Sequence, residues 1–249
     1  HKKNNKDIDR NSLVIDALRI IKQLKPTVFL FENVRRFLET ACFDGDEITS
    51  IGEAISNHLG THYDISTKVL NLKNHGSQSS RTRTIVIGTL KTTRVEAHQL
   101  FPTEVQAKPL WEMIGHLPPL TTMGEISSDD VWHSFRRYKE HMRPWIADLN
   151  PGQSAFDNVE LEKRPHQIIN GEYKANVNKN GDKYQRILDT AIAPCVHTRN
   201  DILASQNTVH PFDDRVLSVR ELMLIMTIPD WFRWSGLADS EVRELAPKK

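Results

Sequence analysis

Cysteine is nearly missing from this chain: among 249 residues there are two, Cys42 and Cys195, in unlike contexts. Such a pair offers no disulfide framework and fits a reducing cytosol, so a cytoplasmic protein is expected. Neither belongs to a Cys-x-x-Cys ligand pair, and His133, His141 and His197 lack ligand-like spacing, so no metal site is expected. No apolar run approaches the roughly 18 residues that a membrane span needs. The opening stretch from His1 to Asp9 is polar and basic with no apolar core behind it, unlike a secretory signal. No internal repeat or low-complexity tract is found.

What remains is the composition of a water-soluble protein of one or two domains, with 38% hydrophobic and 26% charged residues. The net charge of +1 conceals segregation. From Lys68 to Arg94 there are six Lys or Arg and no acid; from Glu104 to Glu162 ten acids face five bases; from Lys163 to Arg199 seven bases face three acids. Basic stretches of this kind suit a phosphate-binding face, although chance clustering on a solvated surface produces the same pattern.

Leu13, Ala17, Leu18, Ile21 and Leu24 recur at helical spacing, with Asn11 or Ser12 placed to cap that helix. Pro26 follows, then the apolar run Thr27 to Phe31, which reads as a parallel strand buried on both faces. Glu32 and Asn33 then stand at its carboxyl end, where ligands bind in open α/β sheets. A helix is predicted over roughly Glu47 to Leu59, strands near His62 to Leu70 and Thr84 to Leu90, and a short helix capped by Ser218 and stopped near Pro229. Beyond Leu90, Pro102, Pro109, Pro118, Pro119, Pro144 and Pro151 punctuate segments of weak periodicity, so a domain boundary is expected near residue 92. The five tryptophans, among them Trp145 and Trp231, read as core rather than as base-stacking groups.

Three separated segments carry a resemblance. Arg10-Asn11-Ser12-Leu13 precedes Phe29-Leu30-Phe31-Glu32-Asn33-Val34; Gly76 to Gly88 reads GSQSSRTRTIVIG; and Arg215-Val216-Leu217-Ser218-Val219-Arg220-Glu221 runs on to Pro229-Asp230. In this order they resemble the Arg-x-x-Leu helix and Glu-Asn-Val strand, the Gln-x-Arg-x-Arg strand, and the Arg-x-Leu-Thr-x-Arg-Glu helix of DNA cytosine-5 methyltransferases. The resemblance implies an α/β fold: the later half of a Rossmann-like sheet over residues 1–92, then a smaller mixed target-recognition domain over 93–249. It implies S-adenosyl-L-methionine as cofactor and double-stranded DNA as partner, in the bacterial or phage restriction-modification setting where the family is commonest.

Roles follow from that chemistry. Carbon 5 of cytosine is a poor nucleophile; in the family a cysteine thiolate adds to carbon 6 of a base turned out of the duplex, and the resulting enamine attacks the methyl group. A carboxyl at the ring nitrogen stabilises the charge pushed into the ring, and the resemblance puts Glu32 there. Arg81 and Arg83 alternate and so share a face of an extended segment; by the resemblance Arg81 is expected on the base or a DNA phosphate, and Arg83 in the same site or in a structural ion pair. Leu13 is expected to touch the cofactor and Asn33 to orient the loop after its strand. Arg215, Arg220 and Glu221 are expected to organise the recognition domain by ion pairs. Lys174, Lys179, Lys183 and Arg186, with Asn176, Asn178 and Asn180, form a polar basic stretch suited to DNA contacts, or equally an ordinary exposed loop. Where the family has its Gln, this chain has Ser79, and no role passes to Gln78.

The family's Phe-x-Gly-x-Gly cofactor loop and its Pro-Cys-Gln nucleophile loop are not in this sequence, and the cysteine is expected just before His1. Neither Cys42 nor Cys195 has the Pro-Cys-Gln context. This chain is therefore expected to be inactive alone, working with an N-terminal segment or complementary subunit. The alternative is a non-catalytic DNA-binding or regulatory relative, against which the retained Glu32, Arg81 and Arg83 speak.

Overall fold

A computed structural model of the chain describes residues 5–179, 181–229, 231–234 and 236–245; Asn180 and Asp230, named above, lie outside the described residues. The chain divides into two compact units, His1–His75 with Arg81–Val105, and Gly76–Ser80 with Gln106–Lys249. Among the described residues no helix is long and apolar enough to cross a membrane, and no group of three or more His, Cys, Asp or Glu could hold a metal.

The first unit runs α1 (Asn5–Asn11), α2 (Leu13–Leu24), β1 (Val28–Val34), β2 (Ala41–Asp44), β3 (Glu47–Ser50), α3 (Ile51–Leu59), β4 (Tyr63–Asn71) and β5 (Thr82–Leu90). β5 lies between β1 and β4, antiparallel to both. The expected parallel pairing of β1 is thus not seen; its second edge pairs with no strand among the described residues. Nor is β1 buried on both faces: Phe29 is 6% exposed, whereas Leu30 is 59% and Val34 57% exposed. The reason is where the helices lie. Ile15 and Leu18 of α2 and Ile51, Ala54, Ile55 and Leu59 of α3 pack with Phe29, Tyr63 and Val86 on one face only. Glycine is required at position 88, opposite Phe29, because a Cβ there would lie 2.0 Å from the Phe29 ring.

Other expectations are corrected locally. Ser12 stands at the N-cap of α2 but its side chain makes no cap bond, and Asn11 is the last residue of α1; their side chains instead tie β2, Asn11 Nδ2 donating to Ala41 O and Ser12 Oγ accepting from Phe43 N–H. The helix predicted from Glu47 begins at Ile51, since Ser50 accepts the Glu53 N–H in a capping box and the four residues before α3 are strand β3. The boundary falls after Val105 rather than near residue 92. Residues 95–105 are tied to the first unit: Thr89 Oγ1 donates to Val95 O (2.6 Å), Ala97 N to Asp64 Oδ2 (2.7 Å) and Val105 N to Asn74 O (2.8 Å).

The second unit is the longer, not the smaller, and mostly irregular. Its elements are α4 (Leu110–Ile114), α5 (Arg143–Ile146), the hairpin of β6 (His166–Ile169) and β7 (Glu172–Ala175), α6 (Val219–Ile225) and α7 (Asp239–Leu245). Frequent prolines deny it long ladders. One cluster centres on Trp145, Ile146, Tyr184, Val209 and Val216, a second on Leu110, Ile114, Ile187, Leu217 and Ile225. Of the tryptophans read as core, Trp145 is 2% exposed, whereas Trp111, Trp234 and Trp231 are 40%, 50% and 77% exposed.

Candidate functional site

In the first unit the register sets the site. Val34 of β1 pairs with Arg83 of β5 and Glu32 with Ile85, so Glu32, Val34 and Arg83 share the face away from the helices. There Arg83 Nε lies 2.8 Å from Glu32 Oε1, the Arg83 side chain 19% and that of Glu32 47% exposed. Arg83 also donates from Nη1 to the Thr82 carbonyl at 2.8 Å, which fixes the guanidinium at both ends. Arg81 just precedes β5, its N–H donating to Asn71 Oδ1 at 3.1 Å. Asn33 Oδ1 accepts the Val34 N–H at 2.8 Å, a local turn at the end of β1. Gln78, by contrast, belongs to the second unit and accepts the Lys108 N–H through Oε1 at 2.8 Å.

A cleft of about 380 Å³ opens beside the end of β1. Leu13, Val14, Phe31 and Val34 line it with apolar surface, and Arg10, Asn11 and Asn33 with polar groups. Leu13 is 67% exposed, which for a helical leucine leaves apolar area for a ligand to cover. Volume and lining are those of a small-molecule site in which apolar walls take a flat ring and a few polar groups orient it. From sequence, Arg10 and Asn11 enter only through the Arg-x-x-Leu resemblance and, for Asn11, as a helix cap; neither is assigned to a ligand site. Phe37, Thr40 and Ile51, which complete the cleft, gave no signal of a site.

In the second unit Arg215 and Glu221 are each 1% exposed and meet through two hydrogen bonds, Nη1 to Oε2 and Nη2 to Oε1, both 2.8 Å. Arg215 Nε donates to Asp213 at 2.9 Å, and Glu221 also accepts the Ser218 N–H at 2.7 Å in the capping box of α6. Burial by itself would raise the Glu221 pKa, but the hydrogen bonds and charge of Arg215 prevail and hold it below the ordinary carboxylate value. Burial depresses the neighbouring His210 to about 4. Arg220 pairs with Asp130, ninety residues away in sequence, a partner that no local pattern marks.

The structure corrects Arg186, expected on DNA. It is 2% exposed and donates to the carbonyls of Ile146, His210 and Asp213 and to Asp214 Oδ1. In a region with few ladders, buried carbonyls need donors, and a guanidinium supplies several at once. Lys174 and Lys179 are exposed and Lys183 half-buried.

The chain is 31% identical to the type II methyltransferase M1.HgaI of Avibacterium volantium, over 89% of this chain and 61% of that protein. It is 26% identical to the type II methyltransferase M.XorII of Xanthomonas oryzae pv. oryzae, over 92% of this chain and 56% of that protein. It thus spans well under two thirds of each of these curated relatives. In fold it resembles a crystal structure described as a DNA modification methyltransferase encoded within an E. coli prophage, with a TM-score of 0.60 and 16% identity over 90% of this chain and 65% of that one. The family model for C-5 cytosine-specific DNA methylases matches residues 1–245, and the chain belongs to that family.

Proposed function

We propose that this chain is the base-holding and DNA-reading part of a DNA cytosine-5 methyltransferase of a restriction-modification system. In this reading a further segment or subunit supplies the nucleophilic cysteine and the rest of the cofactor site, and the chain alone is inactive. The observation that carries it is the Glu32–Arg83 ion pair across β1 and β5, immediately next to cleft residues Asn33 and Val34. A binding module has no need to hold a carboxylate at the tip of a strand with a mostly buried guanidinium.

Glu32 would meet the ring nitrogen of an everted cytosine and share a proton with it, so that electron density pushed into the ring is stabilised as it develops. Arg83 holds that carboxyl in place, and Arg81 would take the base oxygen or a flanking phosphate by its fork of donors. S-adenosyl-L-methionine, when bound, would supply an electrophilic methyl group; Leu13 and Val34 would hold part of it by apolar contact and Asn11 and Asn33 by polar groups, since these residues line the cleft. The outer edge of β1, which pairs with no strand among the described residues, and its exposed Leu30 would offer the complementary segment a place to dock.

The test is reconstitution with a polypeptide carrying the cofactor loop and the cysteine, followed by radiolabelled methyl transfer to DNA. Glu32→Gln should lower turnover by about 10²- to 10⁴-fold, the range for a positioned acid or base, while DNA affinity stays within about threefold. Equal loss of turnover and affinity would reduce Glu32 to a binding residue, and an inactive wild-type assembly would remove the enzymatic reading.

A further inference from the structure

The β6–β7 hairpin has no task in the fold that accounts for its surface. Its strands pair His166 with Ala175, Gln167 with Lys174, Ile168 with Tyr173 and Ile169 with Glu172. Asn170 (φ 54°) and Gly171 (φ 83°) form the two-residue turn, both left-handed, as a type I′ hairpin requires. Every residue from Gln167 to Ala175 is exposed, including Ile168 at 61%, Ile169 at 43% and Tyr173 at 42%. A lone two-stranded hairpin is marginally stable in water; this one is held along one face. There the Tyr173 ring stacks on His166 at 4.7 Å, His166 lies 5.4 Å from the buried Trp145 ring, and Tyr173 Oη donates to Leu161 O at 3.2 Å.

The pairing puts Gln167, Ile169, Glu172 and Lys174 on the face opposite that anchor. Among the described residues, the side chains of Gln167, Glu172, Lys174 and Lys179 make no hydrogen bond or ion pair. From Lys163 to Lys183 there are five bases (Lys163, Arg164, Lys174, Lys179, Lys183) against two acids, Glu172 and Asp182. Unsatisfied amide, carboxylate and ammonium groups on a rigid ribbon within a basic stretch match a polyanion with a hydrogen-bonding interior. Duplex DNA has both, and its major groove, about 12 Å wide, admits a two-stranded ribbon.

We infer that this ribbon enters the major groove and reads base edges through Gln167, Ile169, Glu172 and Lys174, with Lys179 on phosphate. The inference rests on the DNA-reading role proposed for this unit and names the element that performs it. The side chains fit distinct edges: Gln167 can both donate to and accept from adenine, Lys174 donates to guanine, Glu172 accepts from the cytosine amino group, and Ile169 meets the thymine methyl.

The experiment is selection of bound duplexes from a randomised double-stranded DNA library by the chain itself, with sequencing of what is retained. Gln167→Ala and Lys174→Ala should each erase preference at one or two adjacent positions and weaken binding to the wild-type motif about 5- to 150-fold, the range for loss of a good base contact. Lys179→Ala should weaken all sequences alike and reduce the salt dependence by about one phosphate contact. All three side chains are exposed, so unchanged circular dichroism checks that folding is intact. A wild-type motif left unaltered by both reading variants overturns the hairpin's role while leaving DNA recognition by this unit standing. A wild-type chain that enriches no motif overturns both, and neither result bears on the Glu32 turnover test.

Discussion

Replacing Glu221 by alanine should destabilise the second unit more than any other single removal of a charge. Glu221 is 1% exposed and accepts two hydrogen bonds from Arg215, itself 1% exposed, and one from the Ser218 N–H. Its loss leaves the Arg215 guanidinium in the core with Asp213 as its remaining carboxylate partner and strips an N-cap amide of its acceptor. Breaking a buried ion pair from one side costs about 3–5 kcal/mol, and an orphaned buried donor adds about 1–3 kcal/mol. Against the roughly 5–15 kcal/mol that holds a domain together, the variant is largely unfolded or close to it. Urea unfolding followed by tryptophan fluorescence reads this directly, since Trp111, Trp132, Trp145, Trp231 and Trp234 all lie in this unit. Glu221→Gln keeps the shape and an acceptor for Ser218 and should lose less. The double variant Arg215→Met, Glu221→Leu should fall short of the sum of its singles by about 2 kcal/mol or more, because an apolar pair leaves neither charge stranded. A loss under about 1 kcal/mol for Glu221→Ala would refute the view that this pair organises the unit.

Gly88→Ala should destabilise the first unit by about 1–3 kcal/mol, since the added methyl meets the Phe29 ring at 2.0 Å; Phe29→Leu in the same background should recover part of the loss in thermal melts. Acid should weaken the second unit in two stages. His210, buried beside Glu221, Asp213, Arg215 and Arg186, has its pKa lowered from 6.5 to about 4, so the unfolded chain binds its proton first and stability falls as pH drops through that interval. The full contribution is at most about 3 kcal/mol at 1.36 kcal/mol per pH unit, and His210→Gln should flatten that part of the profile of urea midpoint against pH. Glu221, held low, adds stability present above the ordinary carboxylate range and lost as pH falls through its folded value.

Much of the first unit was legible because its signals are local. The periodicity from Leu13 to Leu24 and the strand-like runs of β4 and β5 depend on neighbours within a turn or a strand, as does the Ser218 cap of α6 in the second unit. Glu32 and Arg83 stand fifty-one residues apart in sequence and 2.8 Å apart in the structure. Three features were illegible for one physical reason, that long-range contacts decided them. β1 reads as buried on both faces, yet what covers a strand depends on which elements flank it. The first unit claims residues 95–105 through bonds such as Ala97 N–H to Asp64, thirty-three residues apart. Arg186 looks like its exposed neighbour Lys179, and only the carbonyls gathered around it from residues 146, 210 and 213 distinguish a core donor from a phosphate ligand.

The second edge of β1 has a practical consequence. Among the described residues that edge pairs with no strand, and Val28, Leu30 and Val34 beside it are exposed, so it is a template for an extended peptide, including the same edge of another molecule. Kept concentrated and alone, the chain is therefore poised to zip onto itself. An extended peptide that paired with this edge during expression would act as a chaperone, protecting solubility by occupying its backbone groups.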